Sequence, residues 1–193
     1  MNKRKCVLGV LKTELGLKIK EEMLAWLEPV YDVTLVEVNP PNDIEFELPF
    51  IKKACEVAIE SNEPVLYLHT KGAAMQNSAQ PRVRNFWRIE FGKNADTYFN
   101  SLLNDTASVS APIVGTEKPV CWFNGYVMNV QAAKAILNTL SPHTDRYWFE
   151  QSLLGEAGVK TVGVRDMNAE DGNWAWRSFC YCYAILTNNT QQG

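Results

Sequence analysis

The sequence predicts an α/β protein: a single domain over residues 1–193, with a mostly parallel central sheet and helices on both of its faces, in three layers. Three observations carry that expectation. Short apolar runs alternate with stretches of helical apolar spacing in the order strand, helix, strand, helix, strand through residue 68. Such an order buries its apolar faces as a parallel sheet with right-handed crossovers. A chain of 193 residues, 46% apolar and 21% charged, is also large enough for one domain with a substantial core.

Residues 5–12, Lys-Cys-Val-Leu-Gly-Val-Leu-Lys, read as a first buried strand. Thr13 then opens a helix with Leu15, Ile19, Met23 and Trp26/Leu27 on one face, and Pro29 closes it. Residues 33–38 form a second strand, ended by Asn39-Pro40-Pro41. Pro49 suits the first turn of a helix, and Phe50/Ile51, Ala54/Cys55 and Ala58/Ile59 follow at four-residue spacing. Residues 65–68 make the third strand. Beyond it, 73–81 read as a small-residue loop, 83–103 as one long helix and 107–114 as a strand. Residues 120–123 lead into Asn124-Gly125, a strong turn signal. Asn129 is placed to cap a helix carrying Val130, Ala133, Leu137 and Leu140. Residues 145–154 read as another helix, 159–164 as a strand, 173–186 as an aromatic segment packed on the body and 187–193 as a frayed end.

Bulk properties narrow the function. A net charge of −3 gives no general attraction to nucleic acid, so any anionic ligand must meet a local cluster of Lys and Arg. The five cysteines, Cys6, Cys55, Cys121, Cys180 and Cys182, fit no Cys-x-x-Cys pattern. The first three sit in apolar runs as small hydrophobes, which points to a reducing compartment. The apolar stretch after the basic start is too short for a signal peptide, and no segment reaches membrane-span length. The expected location is the cytoplasm, with the cytoplasmic face of a membrane as an alternative.

Four segments could carry chemistry. The third strand runs into His69-Thr70-Lys71-Gly72, at the end of a sheet where α/β proteins bind ligands. There Lys71 offers a point charge to a phosphate, Thr70 a hydroxyl, and Gly72 close backbone approach. Arg82, Arg84 and Arg88 crowd the start of a helix, with Arg84 and Arg88 four residues apart. The plain alternative for them is a solvated basic turn pairing with Glu90 or Asp96. Asn124 and the Gly125 backbone could meet sugar hydroxyls. In Asp145-Arg146-Tyr147-Trp148-Phe149-Glu150, aromatic faces suit sugar rings, and a desolvated carboxylate suits a general base. The plain alternative there is an amphipathic helix with a surface Arg146–Glu150 pair. Only two histidines are present, His69 and His143, without supporting acidic spacing, so a zinc site is not expected. Neither common nucleotide-binding glycine loop occurs.

Taken together, Val65-Leu66-Tyr67-Leu68-His69-Thr70-Lys71-Gly72, Val83-Arg84-Asn85-Phe86-Trp87-Arg88, Phe123-Asn124-Gly125-Tyr126 and Arg146-Tyr147-Trp148-Phe149-Glu150 resemble glycosyltransferase-like proteins of bacterial polysaccharide biosynthesis, the rhamnan-synthesis and capsular type. The resemblance covers residues 66–150. It departs from the family where Val127-Met128 stands in place of aromatics. It implies a GT-A, Rossmann-like fold and transfer from a nucleotide-diphospho-sugar donor to a saccharide acceptor. Such folds usually end the third strand in an Asp-x-Asp motif that holds a metal against the donor diphosphate, and this chain has none. The expectation is therefore that Lys71, with Arg84 or Arg88, supplies the charge without a metal; no cofactor is implied, and a divalent ion such as Mn²⁺ stays open. Thr13 and Glu37/Asn39 would lie near the nucleoside, and His69, Thr70, Lys71 and Gly72 by the diphosphate. Asn124, Gly125 and Trp148 would lie by the sugar or acceptor, with Glu150 as the base. The alternative is a non-catalytic nucleotide-sugar or glycan-binding module derived from the same fold.

Overall fold

The computed structural model describes residues 3–40, 47–70, 73, 80–114, 120–121, 124–143 and 148–166. The loop read at 73–81, apart from residues 73, 80 and 81, and the tail beyond 166 lie outside them. The first half follows the expected order: β1 (Arg4–Leu11), α1 (Glu14–Leu27), β2 (Tyr31–Val38), α2 (Leu48–Ser61) and β3 (Val65–His69). β1 pairs in parallel with β2 on one edge and with β3 on the other.

Side-chain alternation along these strands builds two cores. Cys6, Leu8, Val10, Leu66 and Leu68 face one layer, where they meet Ile19, Met23 and Leu27 of α1. Val7, Val65 and Tyr67 face the other and meet Phe50, Ile51, Ala54, Cys55 and Ala58 of α2. The period of two in the strands and of 3.6 in the helices thus places α1 and α2 on opposite faces, which makes three layers. Gly9 belongs to this packing. A Cβ there would stand 2.4 Å from Cγ of Phe50, so the ring lies directly on the strand.

The second half continues with α3 (Gln80–Trp87), a π-helical segment (Arg88–Lys93), α4 (Ala95–Asn100), β4 (Ser108–Val114), β5 (Val120–Cys121), β6 (Tyr126–Met128), α5 (Val130–Thr139), a second π-helical segment (Trp148–Ser152), α6 (Leu153–Glu156) and β7 (Lys160–Asp166). The helix expected at 83–103 is therefore three pieces. Asn94 donates its backbone N–H to the carbonyl of Ile89, five residues back, and its side-chain amide to Glu90. The widened turn buries Glu90, which also accepts from the Tyr98 hydroxyl at 2.6 Å and from Arg165 on β7 at 3.3 Å. The Tyr31 hydroxyl donates to the Phe91 carbonyl. Side-chain bonds thus offset what the regular ladder loses.

β3 and β4 both pair antiparallel with β6, so they run in the same direction. β7 pairs in parallel with β4. Val109 faces both β6 and β7, and Ile113 faces both β5 and β7, so β5 and β6 share the other edge of β4. Five strands among the described residues run one way, and only β5 and β6 oppose them. A mostly parallel sheet is what the sequence led us to expect.

Asn124-Gly125 marks a bend, as its turn signal predicts, but not a reversal of the chain. β5 and β6 run in the same direction along β4, so the chain does not reverse between them. Ile113 faces Cys121, whereas Ser110, three residues earlier, faces Val127, six residues later. The register along β4 thus slips by three residues between β5 and β6. Asn124 takes up the bend at φ 58°, a left-handed conformation that Asn tolerates better than most residues. No helix among the described residues is long and apolar enough to cross a membrane.

Candidate functional site

From β1 the chain passes through α1 to β2 on one side, and from β2 through α2 to β3 on the other. The carboxyl ends of β1 and β3 therefore flank a topological switch point, the place where open α/β sheets form their ligand crevice. Thr13, His69 and Thr70 all lie there.

Thr13 is the N-cap of α1, as its position predicts. Its hydroxyl accepts from Gly16 N–H at 2.9 Å and donates to the Ala73 carbonyl at 3.0 Å. The Thr70 hydroxyl accepts from Leu11 N–H at 3.1 Å, and Thr70 N–H donates to the Gly9 carbonyl. The two threonines thus staple the end of β3 to the turn between β1 and α1. Gly16 makes that turn possible: a Cβ there would fall 1.9 Å from the Leu11 carbonyl oxygen. Lys71 and Gly72 lie outside the described residues. Glu37, exposed near the end of β2, accepts from Lys20 at 3.2 Å, and Asn39 is exposed beyond it.

His69 is buried at the end of β3, its ring edge-on to Trp87 of α3 at 5.8 Å. Its Nδ1 stands 3.8 Å from Oε2 of Glu47, a residue that sequence reasoning missed. Glu47 precedes α2, and its side chain is only 14% exposed. Oε2 also accepts from the Tyr67 hydroxyl at 2.9 Å and from the Asn124 side-chain amide. The turn before α2, the end of β3 and the strand break thus deliver a carboxylate, a phenol, an imidazole and an amide to one place. Gly125 completes the fit, because a Cβ there would stand 2.9 Å from both Leu68 and Trp87. The Tyr126 ring packs on Tyr67 at 5.3 Å between centroids, and burial pushes its pKa well above the ordinary value, so it stays neutral.

The arginines separate. Arg84 is buried on α3 and bonded to Glu22 of α1 at 3.2–3.3 Å. Arg88 is exposed and donates to Asn85 Oδ1 at 2.9 Å. Of the partners the plain alternative named, Glu90 takes Arg165 and Asp96 takes Arg4. Trp148 is buried; His143 stacks on one face of it at 4.9 Å, and the Trp148 indole N–H donates to Glu156. Glu150 lies in the second π-helical segment, and its side chain is outside the description.

Burial pushes the Cys55 and Cys121 thiols up to about 12 and raises Cys6 as well, which leaves all three as inert core groups. Among the described residues no group of three His, Cys, Asp or Glu is arranged to hold a metal ion. A groove of about 840 Å³ opens at the opposite, amino end of the strands. Lys3, Lys5, Glu28, Asp32 and Glu63 line it with both signs of charge, and Lys5 is already paired to Asp32 at 2.6 Å. Comparison with known proteins finds no matching family model, curated protein or solved structure.

Proposed function

We propose that the protein is a GT-A-like glycosyltransferase of polysaccharide biosynthesis that binds a nucleotide-diphospho-sugar at the carboxyl ends of β1 and β3. One observation carries the reading: the switch point of the sheet coincides with the strand end that runs into His69-Thr70-Lys71-Gly72. That is the segment on which the resemblance to glycosyltransferase-like proteins rests.

In this reading the donor diphosphate lies against the amino end of α1, whose free N–H groups and positive dipole end favour an anion. Lys71 follows Thr70 directly and supplies the full charge. Arg88, exposed and held by the neutral Asn85, can swing toward the phosphates, whereas Arg84 is committed to Glu22. A second reading, a non-catalytic nucleotide-sugar-binding module, draws support from the Thr13 and Thr70 hydroxyls, which already serve the backbone. Slow hydrolysis of a bound donor separates the two, because only the transferase activates the anomeric carbon.

Calorimetric titration with UDP-, GDP- and dTDP-sugars, with and without Mn²⁺, tests the reading. One donor is expected to bind without metal, and Lys71→Ala to weaken it by about 10–100-fold, the worth of one charge-assisted contact. Failure of every donor to bind would remove the donor site. Binding only with Mn²⁺ would remove the charge-replacement idea.

A further inference from the structure

We propose that His69, with Glu47 behind it, is the proton-accepting group of this site, in place of Glu150. The inference deepens the glycosyl-transfer reading and rests on it.

The arrangement is built, not incidental. Glu47, Tyr67, His69 and Asn124 come from three separate segments and converge at the carboxyl end of β3. Tyr67 and Asn124 both donate to the carboxylate oxygen that faces His69, and so fix its position. Asn124 holds a left-handed backbone at φ 58° while it does so. The carboxylate lies 3.8 Å from Nδ1, within ion-pairing reach of a protonated ring. That is longer than a hydrogen bond, and contacts between catalytic groups often tighten only once substrate binds. A carboxylate on the Nδ1 side can orient the ring and stabilise the imidazolium that forms when the ring takes a proton.

The groups that surround the imidazole agree with that role. From β6, Tyr126 is held neutral by burial. From α3, the Trp87 ring stands at 78° to the imidazole, and Arg84 is turned to Glu22. On β3 itself, Tyr67 spends its proton on Glu47. Lys71 is two residues along the chain. Among the described residues Glu47 is thus the anion nearest the ring, and an imidazole is the side chain whose ordinary pKa, about 6.5, best suits a base near neutral pH.

The step is a single displacement. The acceptor hydroxyl gives its proton to Nε2 as its oxygen bonds to the anomeric carbon. The bond from that carbon to the diphosphate breaks, and the diphosphate leaves with the electron pair. Water in place of the saccharide gives hydrolysis by the same route.

The experiment joins three measurements on the full chain: calorimetric binding of the nucleotide-sugars, the pH profile of donor hydrolysis, and NMR titration of the imidazoles. His143→Gln assigns the two histidine signals. His69→Gln is expected to lower hydrolysis by about 10²–10⁴-fold with donor affinity kept. Glu47→Gln removes the stabilising charge, so the His69 titration and the acid limb of the rate profile should both move to lower pH by about one unit. Turnover retained in His69→Gln overturns the assignment while the donor site stands. No donor binding to the wild-type chain overturns the transfer reading and the base role with it. In that case an unmoved His69 titration in Glu47→Gln would show, in addition, that the two side chains do not form a working pair.

Discussion

Asn129→Ala is expected to cost about 3–4 kcal/mol of folding stability, far more than loss of a helix cap, which is worth about 1 kcal/mol. Asn129 is only 6% exposed. Its Oδ1 accepts from Ala132 N–H at 2.8 Å, the cap proper, and from Ser108 N–H at 3.2 Å. Its amide nitrogen donates to the carbonyls of Leu103 and Thr106 at 2.8 and 2.7 Å and to the Ser108 hydroxyl at 3.1 Å. One side chain thus closes the loop between α4 and β4, the start of β4 and the start of α5. Alanine leaves several of these groups buried without partners, at about 1–3 kcal/mol for each that water cannot reach. Asn129→Asp is the sharper variant. Asp caps helices as well as Asn does, but it would aim a carboxylate at two carbonyls. Denaturant unfolding should show Asp to be at least as damaging as Ala. If Asp proves neutral, Asn129 is a cap and nothing more.

Gly16→Ala should also destabilise strongly, by about 3 kcal/mol or more, the upper range for a forced overlap in a packed region. Helix propensity predicts the opposite, since Ala is favoured over Gly by about 1 kcal/mol inside a helix. The steric term wins here because the new Cβ would lie 1.9 Å from the Leu11 carbonyl oxygen, a backbone atom that cannot rotate away. Relief requires α1 to move off the end of β1. That movement strains the Thr13 cap and the Thr13–Ala73 staple together. The variant should therefore melt at lower temperature and lose donor binding. A melting temperature equal to or above wild type would show the turn to be loose.

The first half of the fold is legible in the sequence because its elements are long enough to show their periods. Thr13 before Leu15, Ile19 and Met23, and Pro49 before Phe50, Ala54 and Ala58, mark helices whose buried faces are the ones the spacing selects. Asn129 is legible as a cap from type and position alone. Its contacts with Leu103, Thr106 and Ser108 are not, since they depend on how the sheet closes. β6 is three residues long, too short for any period to register. Asn124-Gly125 correctly signals a left-handed bend, but local sequence does not say whether the strand returns or resumes; pairing with β3 and β4 decides that. The break at Arg88–Lys93 is hidden for a related reason, because Glu90, Asn94, Tyr98 and Arg165 meet only in three dimensions.

The candidate site shows the same division. His69 and Thr70 stand out because polar residues end an apolar strand. Glu47 does not stand out, because its partners lie 20 and 77 residues away, at Tyr67 and Asn124. Arg84 and Arg88 look alike in sequence and differ in the fold, one buried against Glu22 and the other exposed. A cluster of positive charge read from spacing alone does not reveal which of its members is already paired.

The location of the ligand is open to one direct measurement: amide and imidazole NMR of the isotope-labelled protein during titration with UDP-, GDP- and dTDP-sugars. A ligand at the switch point should produce saturable shifts at Thr13, Gly16, His69 and Thr70. No saturable change at these residues with any donor, or changes confined to the Lys3, Asp32 and Glu63 groove at the other end of the strands, would contradict a ligand site at the carboxyl ends of β1 and β3.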